Sequence, residues 1–149
     1  MIMGFDAMFV PLVERRLKKH SIRAGNRWRV GMLIHLYAAP RQKGMRLIGL
    51  AKVRMIEPIS IACDLEKRPE GWPSAKVAPL AAKTTVTIGG HVLTNDELNV
   101  FAFADGFQSA GVAGAFRLMV EYWRRKNGLG TKLKCFTGQV VHWGELRTK

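Results

Sequence analysis

Apolar and polar residues follow two different periods along this chain, and the changes of period predict its elements. Residues 20–23 and 32–38 read as strands. The second, Met32-Leu33-Ile34-His35-Leu36-Tyr37, is apolar nearly throughout, the pattern of a strand in the middle of a sheet. Pro40 to Gly44 form a basic turn. Leu47 to Pro58 then read as a long strand whose Ile48, Leu50, Val53, Met55 and Ile56 bring apolar side chains to the core. A slip in its alternation predicts a β-bulge. Thr84–Ile88 and His91–Leu93 flank Gly89-Gly90, a hairpin signal, and Leu133 to Trp143 read as the last strand.

Helical spacing marks three other places. Residues 8–18 read as a short helix or turn with Phe9, Leu12, Val13 and Leu17 on one side. Thr94-Asn95-Asp96-Glu97 has the form of a capping box and opens a helix that runs to about Ala104 and stops near Asp105-Gly106. Ser109 is placed to cap a further helix ending before Gly128, with Val112, Phe116, Met119, Val120 and Trp123 on one face. Mostly strands, then two helices, then a strand: this order predicts an α+β fold, a small and partly open β-barrel with flanking helices.

Composition bounds the organisation. A chain of 149 residues with 48% hydrophobic content suits one domain with its own core. Residues 64–83, with Glu66-Lys67-Arg68-Pro69-Glu70-Gly71-Trp72-Pro73 and an Ala/Lys/Pro stretch, read as a surface insertion in it. Cys63 and Cys135 form no metal-ligand spacing and no disulfide scaffold, which suits reduced residues of a cytoplasmic protein. No apolar run approaches the roughly 20 residues that span a bilayer, and the apolar start, interrupted by Asp6, lacks the preceding basic segment of a signal peptide. No membrane partner and no cofactor are expected; a monomer or a homodimer is.

Charge changes the picture most. Lys and Arg number 24 against 11 Asp and Glu, a formal charge of +13. Such an excess concerns partners, and it favours polyanions. The basic and aromatic loop of Arg23, Asn26, Arg27, Trp28 and Arg29, preceded by Lys19, suits a rim on which cations track phosphates and an aromatic face stacks a base. The structural alternative is that Trp28 caps the end of the barrel while the arginines face water. Arg41 and Lys43, with Arg46, supply a second basic cluster, and Arg124, Arg125, Lys126, Lys132 and Lys134 a third. Three clusters suit an extended groove better than one small anionic metabolite.

A second candidate is catalytic: Lys18, Ser21 and Glu97. A serine hydroxyl needs a base, and a desolvated lysine can serve. A carboxylic acid in the same pocket could protonate a leaving nitrogen. Each has a plainer role, Lys18 as a solvated cation, Ser21 as a strand-end hydroxyl and Glu97 as the capping-box acid. His20, His35, His91 and His142 show no metal-ligand spacing, and His35 and His142 read as core or pocket histidines.

The segment Lys18-x-x-Ser21-Ile22-Arg23, with Gly31 leading into an apolar strand, resembles the opening of ASCH domains of the PUA-like superfamily. The likeness continues through Ile48-Gly49-Leu50-Ala51-Lys52-Val53, Asp96-Glu97-Leu98, Asp105-Gly106-Phe107 and the closing Phe136-x-Gly138-x-Val140-Val141-His142-Trp143. It covers about residues 15–144 apart from 64–83, and is similar to stand-alone ASCH-like proteins of bacteriophage and prophage genomes. The resemblance implies a small PUA-like β-barrel with a cleft for RNA or modified bases. In one branch, similar proteins hydrolyse the amide of N4-acetylcytidine with a Lys-x-x-Thr pair and a later Glu; carried over, Lys18 would be the base, Ser21 the nucleophile and Glu97 the acid/base partner. Other ASCH-like proteins act as ribonucleases or coactivator modules. The chain departs from the common signature in having Leu17 before the lysine and Ser21 where an acid stands.

The reading that follows is a cytoplasmic module for RNA or for single-stranded or modified nucleic acid. Amide hydrolysis on an acylated nucleoside is the enzymatic alternative, and a basic surface occupying an acidic protein partner is a third.

Overall fold

The computed structural model describes residues 1–63, 84–129 and 135–148, so the expected insertion at 64–83 lies outside the described residues. Among the described residues seven strands and three α-helices make an α+β fold, the class expected from the order of elements. It divides into two compact units, Met1–Pro58 with Ala104–Gly106 and Gly138–Lys149, and Ile59–Phe103 with Phe107–Thr137.

In the first unit, β3 (Leu33–Ala38) lies between β1 (Ile2–Phe5) and the first part of β4 (Arg46–Cys63). β1 runs parallel to it, with Ile2 opposite His35 and Phe5 opposite Ala38, while β4 is antiparallel. β1 is an addition to the expected elements; four residues are too few for alternation to announce a strand. β2 (His20–Ala24) is antiparallel to β7 (Cys135–Trp143), with His20 opposite His142 and Ala24 opposite Gly138. Between β1 and β2 a single 3-10 turn, Ala7–Phe9, leads into the short helix α1 (Val10–Glu14). Phe9 and Val13 are buried, whereas Leu17, expected beside them, is 56% exposed because it lies beyond the end of the helix.

The predicted bulge exists, but at the start of β4. Leu36 pairs with Gly49 and Tyr37 with Leu47, leaving Ile48 as the extra residue. One extra residue reverses the alternation that follows, so Gly49, Ala51 and Val53 point inward. Leu50, Met55 and Ile56, expected in the core, therefore do not lie there, and Met55 is 46% exposed. Gly49 faces the C-terminal segment, where Leu50 exchanges backbone hydrogen bonds with Arg147 at 2.9 and 2.8 Å. A Cβ on Gly49 would lie 2.8 Å from Leu146 Cδ1 and 2.9 Å from the Arg147 carbonyl oxygen, so this strand pairing requires glycine.

In the second unit, the end of β4 pairs antiparallel with β5 (Thr84–Ile88), which turns through Gly89-Gly90 into β6 (His91–Val92). Both glycines have positive φ, 58° and 85°, as the tight hairpin predicted here demands. Helices α2 (Asn95–Ala104) and α3 (Gly111–Asn127) follow. Leu98, Ala102, Phe116, Met119, Val120 and Trp123 are buried, and the Trp123 ring meets Phe136 edge-on at 4.4 Å. The start of α3 differs from expectation: Ala110, not Ser109, holds the cap position, and Val112 in the first turn is 46% exposed. Its end is as read, at Gly128 in the left-handed conformation.

Among the described residues β1, β2 and β6 each pair with one strand, so the seven-stranded sheet is open and does not close into a barrel.

Gly49→Ala is expected to destabilise the protein by about 1–3 kcal/mol, because the added methyl meets backbone that cannot rotate away. Urea denaturation of the two proteins measures it, and equal midpoints would contradict the tight pairing described.

Candidate nucleic-acid interface and the buried Lys18 cluster

The chain leaves α1 through a defined turn. The Arg16 N–H donates to the Val13 carbonyl at 3.0 Å and the Leu17 N–H to the Leu12 carbonyl at 2.8 Å, the paired bonds of a Schellman motif. Arg16 occupies the left-handed position with φ 61°, where glycine is the usual residue. The extended stretch after it alternates, so Lys18 and His20 turn inward and Lys19 faces solvent. Trp143 donates its backbone N–H to the Lys19 carbonyl at 3.0 Å, which ties this stretch to β7.

Lys18 is 2% exposed. Its ammonium donates to both the carboxylate Oδ1 and the backbone carbonyl of Asp105, and lies 4.9 Å from the centre of the Phe9 ring. Asp105 follows the last residue of α2, where the negative end of the helix dipole disfavours an acid. A cation partner offsets that penalty. The next residue, Gly106, has φ 111°, and a Cβ there would stand 2.9 Å from Phe9 Cδ1, so only glycine lets the corner sit against α1. His20 Nε2 lies 3.5 Å from Asp105 Oδ1, and the His20 and His142 rings are 5.2 Å apart. His142 in turn is half-buried and meets Glu57 Oε2 at 2.8 Å.

Burial sets the electrostatics. Desolvation pushes Lys18 below the ordinary lysine range and Asp105 above the ordinary carboxylate range, and the attraction between them opposes both shifts. His20 is pushed down to about 3, first by burial and then by the charges of Lys18 and His142.

The expected catalytic trio separates. The carboxylate at Lys18 is that of Asp105, not Glu97. Glu97 is exposed and completes the capping box: Thr94 N–H donates to its Oε2 at 2.8 Å, and its own N–H donates to Thr94 Oγ1 at 3.4 Å. His91 sits 3.0 Å from the same carboxylate. Those bonds, Thr94 first, hold the Glu97 carboxyl below its usual range, the reverse of what a proton donor needs. Ser21 is buried in β2 opposite Val141, and among the described residues no hydrogen bond joins it to Lys18.

The loop from Arg23 to Arg29 also sorts differently. Trp28 is 1% exposed, so its ring belongs to the core and offers no face to a base. Gly25 and Gly31, at φ 74° and 90°, bracket the loop, and Gln139 Oε1 accepts the Trp28 backbone N–H at 3.0 Å. Arg23 is half-buried and donates to the Gly4 carbonyl at 2.8 Å, with its guanidinium 5.3 Å from the Phe5 ring. Arg29 folds back onto the carbonyls of Asn26 and Trp28. Arg27 is exposed with its guanidinium 5.5 Å from the Trp28 ring, and Lys19, Asn26, Arg41 and Lys43 are exposed.

Sequence reasoning passed over Asp105 as a partner for Lys18, and passed over a pocket of about 410 Å³ beside it. Val13, Trp143 and Leu146 form its apolar wall, and Arg16, Lys19 and Glu145 also line it. An acid placed after a helix C-terminus was the available signal for Asp105. An arginine where the turn favours glycine was the signal for Arg16.

The depressed His20 value carries a pH dependence. A ring kept neutral in the folded state contributes stability that is whole above about pH 6.5 and is lost as pH falls from there toward 3, on the order of a few kcal/mol over the window. Asp105, shifted upward, acts in the opposite sense, so the comparison must isolate His20. His20→Gln is expected to lose less stability than the native protein between pH 7 and pH 4 in denaturant titrations. Equal losses would show that His20 is not held neutral by its surroundings.

Compared with protein-family models, with curated proteins and with solved structures, the chain matches none.

Proposed function

We propose that the chain is a PUA-like module of the ASCH type that binds RNA, or single-stranded or modified nucleic acid, through the cationic surface of its first unit. The observation that carries this reading is where the charge lies. The first unit holds 14 of the chain's Lys and Arg and five of its Asp and Glu, and so most of the net positive charge. Arg15, Arg16, Lys19, Arg27, Arg41 and Lys43 are exposed there and have no carboxylate partner among the described residues. Unneutralised cations on one unit attract a polyanion, and a nucleic-acid backbone offers repeated phosphates to them. With Trp28 in the core, affinity comes from phosphate contacts rather than from stacking on that ring. The reading places the protein in the cytoplasm; among the described residues no helix is long and apolar enough to cross a membrane.

Affinity for a single-stranded RNA oligomer is expected to fall roughly 50-fold between 50 and 200 mM salt if four phosphates are neutralised, and removing Arg27 or Lys43 should lower the salt slope. Fluorescence anisotropy across that range measures it. Binding that ignores salt, or salt-sensitive binding of acidic proteins with none of nucleic acid, would overturn the proposal.

Amide hydrolysis has less support, because the Lys18 ammonium is engaged by Asp105 and the Glu97 carboxylate by its cap. Incubation with N4-acetylcytidine is expected to release no cytidine above the blank. Release that disappears in both Lys18→Ala and Ser21→Ala would reinstate the enzymatic reading.

A further inference from the structure

The outward side of the β1-β3-β4 sheet is apolar where solvent ordinarily meets polar residues. Paired residues of neighbouring strands point to the same side, so the register gives the make-up of this face. Ile2 stands beside His35 and His35 beside Leu50, with Tyr37 beside Leu47 and Leu33 beside Lys52. The reverse side, with Met3, Ile34, Leu36 and Val53, is buried in the core. Ile2 and Leu33 are 54% and 55% exposed, and His35, Tyr37, Leu47 and Leu50 are half-buried. A sheet with one solvated face alternates apolar with polar residues, whereas β3 has the composition of a strand covered on both sides. A packed helix is a common cover for such a face, and Ile2 and Leu33 lack one.

Charge and size narrow the choice of occupant. Lys52 is exposed next to Leu33, and Arg147, also exposed, is paired with Leu50 and so shares its side. Neither has a carboxylate partner among the described residues, and none of the residues named on this face is acidic. The rim therefore suits carboxylates. Three strands about 4.8 Å apart, with outward residues about 6.8 Å apart along each, give a footprint of roughly 300 Å². A stable dimer buries about 800 Å² per partner, and a second copy would bring its own charge of +13 against the first. A bilayer anchor sinks its apolar side about 5–10 Å deep, and a flat sheet with mostly half-buried residues does not reach so far. One α-helix about 10 Å across covers the three strands, and three turns of it, about 16 Å, span the rows from Leu33 to Tyr37.

We infer that this face docks an amphipathic helix of a partner protein, its apolar stripe lying over Leu33, His35 and Leu50 and its flanking acids pairing with Lys52 and Arg147. The apolar stripe supplies affinity by burying Ile2 and Leu33, and the acids fix the direction of the helix across the strands. None of these residues is among the cations assigned to nucleic acid, so the two kinds of binding are separable by substitution.

Fluorescence anisotropy of the full chain with three labelled peptides of about 18 residues tests this. The first carries a leucine stripe at helical spacing flanked by glutamates, the second has lysines for the glutamates, and the third scrambles the first. The first should bind about tenfold tighter than either of the others. Leu33→Ser should weaken it about tenfold with the Tm unchanged, since Leu33 is exposed, and Lys52→Glu should weaken it too. RNA affinity should be the same in Leu33→Ser and the native protein. No binding of the first peptide at about 1 mM, or equal binding of the scrambled one, would overturn the docking face. Two parallel measurements cover the other occupants. A dimer in sedimentation that Leu33→Ser abolishes would give the face to a second copy, and adsorption to phosphatidylglycerol vesicles lost in Leu33→Ser would give it to lipid; either overturns the proposal. Peptide binding in a protein that ignores RNA would uphold the docking face and overturn the nucleic-acid reading alone.

Discussion

The first unit is organised around one buried ion pair, Lys18 with Asp105. Taking both charges out of water costs several kcal/mol per ion, and their attraction offsets this only with close geometry and further hydrogen bonds. Here the ammonium is shared between the Asp105 carboxylate and the carbonyl of the same residue, which supplies such geometry. Neighbouring features follow from the pair. Gly106 must be bare so that the corner carrying Asp105 can approach Phe9 and Leu12. His20, adjacent to the ammonium, stays neutral well below its ordinary range. The turn after α1 delivers Lys18 inward and leaves Arg16 and Lys19 outward, which separates a structural cation from those free to meet a ligand.

That separation explains which residues misled a reading of charge along the chain. Lys18, Lys19, Arg23 and Arg27 are equivalent in composition, yet one is buried in an ion pair, one is solvated, one donates to a backbone carbonyl across the unit and one faces solvent beside an indole. Charge counts report the total field and cannot assign partners. Only long-range packing does that, as between Lys18 and an acid 87 positions away.

Local chemistry was legible in the sequence. The Gly-Gly hairpin, the Thr94–Glu97 capping box and the end of α3 at Gly128 depend on neighbours a few residues apart, and each formed as the residues require. Three features resisted for different reasons. The bulge at Ile48 is set by its partner strand, so its position could not be read from β4 alone, and the parity of the inward residues went with it. Trp28 sits between two arginines in the chain, but Gly25 and Gly31 allow the loop to fold its ring inside. Glu97 satisfied a family pattern and a capping pattern at once, and the structure shows the second in full.

The C-terminal strand has a consequence for how the protein is made. The first unit draws on Met1–Pro58, then on Ala104–Gly106 and last on Gly138–Lys149, so β2 and the edge at Gly49 find their partners only after roughly 100 or more further residues emerge. At ribosomal speeds of about 5–20 residues per second, those strands wait on the order of 5–24 seconds with their edges unpaired. Until they pair, the edges of β2 and β4 are open to association with other chains. The discontinuity that builds the site is therefore also the interval in which the chain is most exposed to aggregation.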